Sequence, residues 1–510
     1  MKFLKRLFSR FVITSIFILA QTFLAIYFFN KLAEKYIYVY LAASILSYVL
    51  LLFILNKNGS PSYKIPWILF ILILPIPGLL SYIMFAKPII TKKYRKKFIQ
   101  IIEDANQKYQ INKEEIKELK NESIVAYNQS KYIYKTSLMH TNKNTKTIYF
   151  KDGDSMFEEM LNKISQAKKY VFLETFIMSP GYMLDTLIDL LEQKVKEGIE
   201  VRILYDDIGS MKHLPRHYYK TLNKKGIKCT VFNKYNPIIT VVHNNRDHRK
   251  LLIVDGEYGF IGGINIADEY INKIQPFGHW KDNGIMLHGT GVKNMTILFL
   301  EMWNVYSKDK TEVFENYVVE SNEQIANGFV QVFGDGPLPL YEDHVGENTY
   351  LNLINQANKY LYITTPYLII DYNMIHSLVL ASKRGVDVKI IVPHIPDKKI
   401  ISSITKSNYK VLIEAGVEIY EYLPGFIHSK TILTDDDIAI VGTINLDYRS
   451  FIHHFECACW MYKPDCYNDM LGDFKNTIEK SKCIKLNDIP KHGLIKRLFV
   501  SLIKLFSPLL

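Results

Sequence analysis

Apolar residues fall along this chain in two regimes. In the first 90 positions they run almost unbroken, as Phe11 to Phe29, Tyr36 to Leu55 and Ile65 to Ala86. Each run has about the 20 residues that a hydrocarbon layer requires, so the pattern predicts two to three membrane segments. A cleaved signal peptide fits poorly, because no small-x-small site follows the first run and further apolar segments come directly after it. Beyond them lies a polar helical stretch near Asn106 to Gln129. Helix-like and strand-like spacings then alternate: Phe157 to Lys168 as helix, Tyr170 to Ile177 as buried strand, Met183 to Glu197 as helix, Glu200 to Tyr205 as strand. That alternation is an α/β signature.

The same order returns at Tyr350 to Ala357, Tyr360 to Tyr367, Asn373 to Lys383 and Asp387 to Val392. Between "DHRKLLIVDGEYGFIGGIN" (Asp247 to Asn265) and "FIHSKTILTDDDIAIVGTIN" (Phe426 to Asn445), His248, Lys250, Asp255, Gly262 and Asn265 map without a gap onto His428, Lys430, Asp435, Gly442 and Asn445. Earlier landmarks, such as Gly226 and Gly416, are spaced about ten residues further apart than the histidines, so the first copy carries an insertion just before its motif. The pattern predicts two related α/β halves, facing each other across a pseudo-twofold axis and sharing one cleft. Expected boundaries are 1–90 for the membrane region, 91–145 for a basic helical linker, 146–325 and 326–485 for the two halves, and 486–510 for a carboxy-terminal amphipathic segment.

Charge changes the picture at the ends. The net charge of +12 calls for an anionic partner, either nucleic acid or an acidic membrane surface. Basic residues cluster before the first apolar run (Lys2, Lys5, Arg6, Arg10) and after the third (Lys87, Lys92, Lys93, Arg95, Lys96, Lys97). Both clusters favour the cytoplasm, which three full crossings cannot satisfy. Either the first run lies in the interface or the third, broken by Pro75, Pro77 and Gly78, turns back; the larger cluster places the catalytic region in the cytoplasm. From Leu494 to Phe506 one helical face is apolar and the other carries Lys496, Arg497 and Lys504, the pattern of an interfacial anchor or a core helix. Five scattered cysteines without a CxxC pair suit reduced core thiols.

Strand parity then assigns roles. His248 and Lys250 point to one side, as do His428 and Lys430, so each half offers one imidazole and one ammonium to the cleft. If the chain turns near Asp255 to Glu257, the returning strand brings Gly262 beside Lys250, leaving room, and Asn265 beside His248, supplying a donor. Asp255 and Asp435 fall at the turns and support the motif from there. Two histidines, two lysines and two asparagines (Asn265, Asn445) suit a tetrahedral anion such as phosphate. Lysine is a poor metal ligand and no histidine–carboxylate spacing matches a metal pattern, so no metal is expected. One neutral imidazole can attack phosphorus while the other protonates the leaving alcohol. Glu456 is expected either to hold the other ring nitrogen of His428 or to pair with Arg449.

These motifs resemble the paired HxKxxxxD sequences of the phospholipase D superfamily. "IPWILFILILPIPGLLSYIMFAKP", "LYDDIGS", "TPYLI" and "GTINLDYRSF" closely resemble bacterial cardiolipin synthases, from about Tyr36 onward. The resemblance implies transfer of a phosphatidyl group from one phosphatidylglycerol to another, giving cardiolipin and glycerol with no cofactor, at a multi-pass bacterial cell membrane. It implies anionic phospholipids as partners, no nucleic acid, and His248 as nucleophile with His428 as acid and base; the oligomeric state is left open. Three positions depart from the family pattern: Asp247, Lys281 and His454. The competing expectations are a hydrolase using the same intermediate, a nuclease of the superfamily, and a non-enzymatic scaffold for anionic lipid.

Overall fold

The computed structural model describes Phe23, Tyr27, Lys31 and residues 37–58, 60–86, 92–108, 112–235, 244–319, 326–341, 343–490 and 493–509. The described residues form two compact units, one from 1–90, 234–245 and 492–510, the other from 91–233 and 246–491. The first apolar run lies outside the described residues except for Phe23 and Tyr27.

In the first unit, α1 (Ile37–Asn56) is followed by α2 (Pro61–Ile73) and α3 (Pro75–Phe85). The third apolar run is therefore two helices. Pro75 opens α3 because a proline ring is pre-set for a first helical turn but ends the helix before it. The two helices meet closely there: a β-carbon at Gly78 would sit 2.6 Å from Ile71 Cα. Leu51, Ile54 and Ile71 form a small core, while Leu41, Ile45, Leu52 and Phe53 of α1 are exposed. Among the described residues, no helix is long and apolar enough to cross a membrane. The helix Leu494–Phe506 also belongs to this unit and leaves Leu494, Ile495, Leu498, Phe499 and Leu502 exposed.

The second unit carries the duplication. Its first half contributes β1 (Thr145–Phe150), β2 (Tyr170–Thr175), β3 (Glu200–Asp206), β4 (Lys228–Phe232), β5 (Arg246–Asp247), β6 (Leu251–Val254), β7 (Tyr258–Gly262), β8 (His279–Lys281) and β9 (Gly284–Gly289). The second half contributes β10 (Phe329–Asp335), β11 (Tyr360–Thr364), β12 (Leu368–Ile369), β13 (Asp387–Pro393), β14 (Glu418–Tyr422), β15 (Gly425–Ile427), β16 (Thr431–Thr434), β17 (Ile438–Gly442), β18 (Leu446–Asp447), β19 (His454–Tyr462) and β20 (Ser481–Ile484). One sheet runs β1-β9-β7-β6-β2-β3-β4, and the other repeats that order as β10-β19-β17-β16-β11-β13-β14 before adding β20. The ten-residue insertion before the first motif maps to 234–245, largely outside the described residues.

Helix and strand expectations shift by a few residues only. The helix Gly153–Ser165 starts earlier than periodicity alone predicts, because the Asp152 carboxylate accepts from Ser155 N at 2.9 Å and caps it. Its Met156, Phe157, Met160 and Ile164 face the sheet. β2 is buried on both faces, which is why it reads as a continuous apolar run. The helix Val292–Tyr306, buried along nearly its whole length, packs against β6 of one sheet and β10 of the other.

The halves also exchange short strands. β5, just before the first motif, pairs in parallel with β19 of the second half, and β15, just before the second motif, pairs in parallel with β8 of the first. The exchange continues at the histidines themselves: His248 N donates to Phe455 O at 2.9 Å and His428 N donates to Lys281 O at 2.7 Å.

Candidate active site

Each motif histidine leaves its exchanged strand and enters a hairpin of its own half. In the second half the hairpin register sets Thr431 opposite Val441, and in the first Leu251 opposite Ile261. One step further back, Lys430 faces Gly442 and Lys250 faces Gly262. The room the glycines leave is filled by the next strand. A β-carbon at Gly262 would lie 2.5 Å from Asn283 O, and one at Gly442 would lie 2.5 Å from Cys457 O.

That close passage delivers the carboxylates. β19 continues the exchange with β5 and brings Glu456 to His248, whose Nδ1 lies 3.0 and 2.9 Å from its two oxygens. In the mirror arrangement, Asp282 follows β8 and meets His428 Nδ1 at 2.7 Å. Glu456 therefore serves the histidine of the other half, not His428, one of the two partners expected from sequence. Asp282 escaped that reading altogether. Both carboxylates are fully buried. A carboxylate on Nδ1 puts the proton there, which leaves Nε2 as the free nitrogen of each ring. Thr443 adds a hydroxyl donor to Glu456 Oε2.

Four basic groups then crowd one buried space. His248 and His428 are each 7% exposed, Lys250 5% and Lys430 1%. Lys250 Nζ donates to His248 O at 2.7 Å, and Lys430 Nζ donates to His428 O. Lys430 Nζ is also 3.0 Å from His428 Nδ1, but a nitrogen already donating to Asp282 has no lone pair for it, so the pair are neighbours without a bond. Burial, then the charges of Lys250, Lys430 and His428, hold His248 well below the ordinary imidazole pKa. Burial and Lys430 pull His428 down to about 4. The lysines are lowered too, by burial first, Lys250 to about 8 and Lys430 to about 7. Burial alone would raise Asp282, but His428 and Lys430 outweigh it and keep this carboxyl below its usual range. The residues of both motifs thus act on one another within one site, where Lys250 and Lys430 stand among the carboxylates of Glu456 and Asp282.

The asparagines differ. Asn265 accepts from Ile177 N at 3.0 Å and donates to Tyr270 OH at 2.5 Å, so its amide is engaged. Asn445 is buried, and its Oδ1 has no partner among the described residues. Aromatic rings wall the site: Phe176 stands edge-on to His248 at 5.0 Å between ring centres, while Tyr270 and Trp280 lie 5.5 and 5.4 Å from His428.

Asp255 and Asp435, the last of the histidine, lysine and aspartate set in each motif, sit in the hairpin turns where their spacing places them, with φ of 56° and 57°. Asp255 accepts from the backbone of Lys168, Lys169 and Tyr170 at 2.7–2.8 Å. Asp435 does the same for Asn358, Lys359 and Tyr360 at 2.7–3.0 Å. Each pins its hairpin to the start of β2 or β11. Asp255→Ala is expected to cost about 2 kcal/mol of stability, since hydrogen bonds to charged groups contribute roughly 1.5–3 kcal/mol and this one is half-exposed. The measurement is Tm; a wild-type Tm combined with lost turnover would instead give Asp255 a chemical role.

Two of the three departures from the family pattern find side-chain partners. Lys281 Nζ contacts Asp473 Oδ2 at 2.7 Å and donates to Lys151 O. Asp247 Oδ1 accepts from Arg249 N at 3.3 Å. His454 is buried against the site, its ring centre 5.4 Å from that of His248.

Comparison with known proteins agrees with this architecture. A family described as "Cardiolipin synthase, PLD-like domain" matches residues 160–290 and 350–478, one copy on each half. A second, "Phospholipase_D-nuclease N-terminal", matches 45–87. The cardiolipin synthase of Oceanobacillus iheyensis is 34% identical over 468 residues, covering 90% of this chain and 96% of its own. That of Alkalihalophilus pseudofirmus is 32% identical over 461 residues, covering 89% and 90%. The phosphatidylserine synthase of Haemophilus influenzae superposes with a TM-score of 0.57 at 14% identity, over 75% of this chain and 97% of its own, a likeness of fold.

Proposed function

From the premise that this chain belongs to the cardiolipin synthase family of the phospholipase D superfamily, we propose that it transfers a phosphatidyl group from one phosphatidylglycerol to another. The products are cardiolipin and glycerol. The observation that carries the reading is the pair of imidazole–carboxylate couples, each assembled from both halves, around one buried space shared with Lys250 and Lys430.

His248, neutral because burial and its cationic neighbours disfavour the charged ring, attacks phosphorus through Nε2. Glu456 fixes its tautomer and takes up the charge that develops on the ring. His428 gives a proton to the departing glycerol oxygen. Its free pKa of about 4 is too low for that task, and the phosphodiester anion, by partly cancelling Lys250 and Lys430, is what raises it. The bond from phosphorus to the glycerol oxygen breaks as the bond to His248 forms, leaving a phosphatidyl-histidine. His428, now neutral, removes the proton from the primary hydroxyl of the second phosphatidylglycerol, which attacks phosphorus and releases His248. Lys250, Lys430 and Asn445 stabilise the equatorial oxygens.

Purified protein given phosphatidylglycerol is expected to yield mainly cardiolipin and glycerol. Phosphatidic acid as the main product would make it a hydrolase instead.

The pH profile follows from the lysines. They bind the phosphate as ammoniums, and the reaction also needs the His428 proton, scarce above its free pKa of about 4, so kcat/KM falls as pH rises from 6 and falls more steeply through about 7 to 8, where Lys430 and Lys250 lose protons. His248 is neutral to well below pH 6.5, so no acid loss is expected between pH 7 and 6. A profile that rises steadily from pH 6 to 9 would contradict the assignment.

The enzyme works at the bacterial cell membrane, with the amino-terminal apolar runs embedded and the catalytic unit in the cytoplasm. The basic residues from Lys87 to Lys97 and the exposed apolar side chains of α1 support this reading.

A further inference from the structure

β19 opens with His454, Phe455 and Glu456, so strand parity sends His454 and Glu456 to the same face and Phe455 to the other. On that face His454 is 92% buried, yet neither of its ring nitrogens has a hydrogen-bond partner among the described residues. Its Nδ1 stops 3.5 Å from Glu456 Oε1. A buried imidazole without partners loses its hydration for no return, which marks a position where something else binds. One donor atom each from His248, His454 and Glu456 lie within 4.8 Å of one another.

We propose that His248, His454 and Glu456 form an inhibitory site for a borderline divalent ion of the zinc type. Two imidazoles and a carboxylate are a common ligand set for such ions, leaving a fourth position for water. Bonds of about 2.0–2.2 Å place ligand atoms roughly 3.4 Å apart, so closure needs side-chain shifts on the order of 1 Å. On binding Nδ1 the ion displaces the proton shared with Glu456, which passes to Nε2 and removes the lone pair that attacks phosphorus; the transfer reaction does not pass through the ion.

The test uses the full-length protein in detergent micelles with phosphatidylglycerol. Zinc chloride is expected to suppress turnover at least tenfold at about one ion per chain, with full recovery on adding EDTA. His454→Asn, normalised to its own metal-free rate, is expected to need at least tenfold more zinc. Cobalt(II) gives a second readout that does not depend on turnover: one ion per chain with the intense visible bands of a four-coordinate site, lost in His454→Asn. His454→Gln serves if the asparagine variant fails to fold. Zinc inhibition unchanged in both variants, or cobalt bound without loss in them, would overturn the proposal.

Discussion

His248→Ala is expected to lower cardiolipin formation by roughly 10⁴-fold or more, the scale seen when a nucleophile that acts together with its base is removed. The size follows from covalent participation: without the ring there is no bond to phosphorus, and the buried space around it only binds. The sharper measurement is the adduct. Wild-type protein quenched during turnover should carry a phosphatidyl group on the peptide containing His248, and His248→Ala should carry none. His428→Asn should slow both steps, since it removes the acid of the first and the base of the second, but whatever adduct forms should persist. An adduct found on the peptide containing His428 would reverse the two roles.

The next largest effect is expected at the exchanged carboxylates. Glu456→Gln and Asp282→Asn should each lower turnover by about 10²- to 10⁴-fold, because an amide offers its own donor to Nδ1 and favours the wrong tautomer. Their signatures should differ. Glu456 supports the nucleophile, so its loss slows adduct formation whatever group leaves. Asp282 supports the acid, so a phosphatidyl ester of p-nitrophenol, whose leaving group needs no proton, should restore adduct formation in Asp282→Asn but not in Glu456→Gln. Equal rescue of both variants would separate the carboxylates from the roles given to their histidines.

Much of this was legible in sequence. The gapless match from His248 to Asn265 and His428 to Asn445 reflects two hairpins of equal length, and a strand period of two is enough to send each lysine after its histidine. The turn position of Asp255 and Asp435 follows from the same count. The carboxylate partners were not legible, because they arrive over separations of 208 and 146 residues and from the opposite half. Asp282 lies 34 positions after His248 and Glu456 28 after His428, a mismatch set by the longer segment before β8, so the equivalence that would have revealed Asp282 is hidden by a gap. The glycines were legible as positions that leave room, but parity says which residue faces a lysine, not which backbone fills the space on the far side. Reading Glu456 with His428 assumed that a half keeps its own carboxylate.

The strand exchange has a consequence for ancestry and for engineering. A polypeptide ending before β10 would own the attacking ring but not the acid that steadies it, and one beginning at β10 would be deprived in the same way. Either fragment reaches a working centre only by embracing another, so the single chain behaves as a tethered dimer. Separately expressed fragments should accordingly be inert apart and regain activity on mixing.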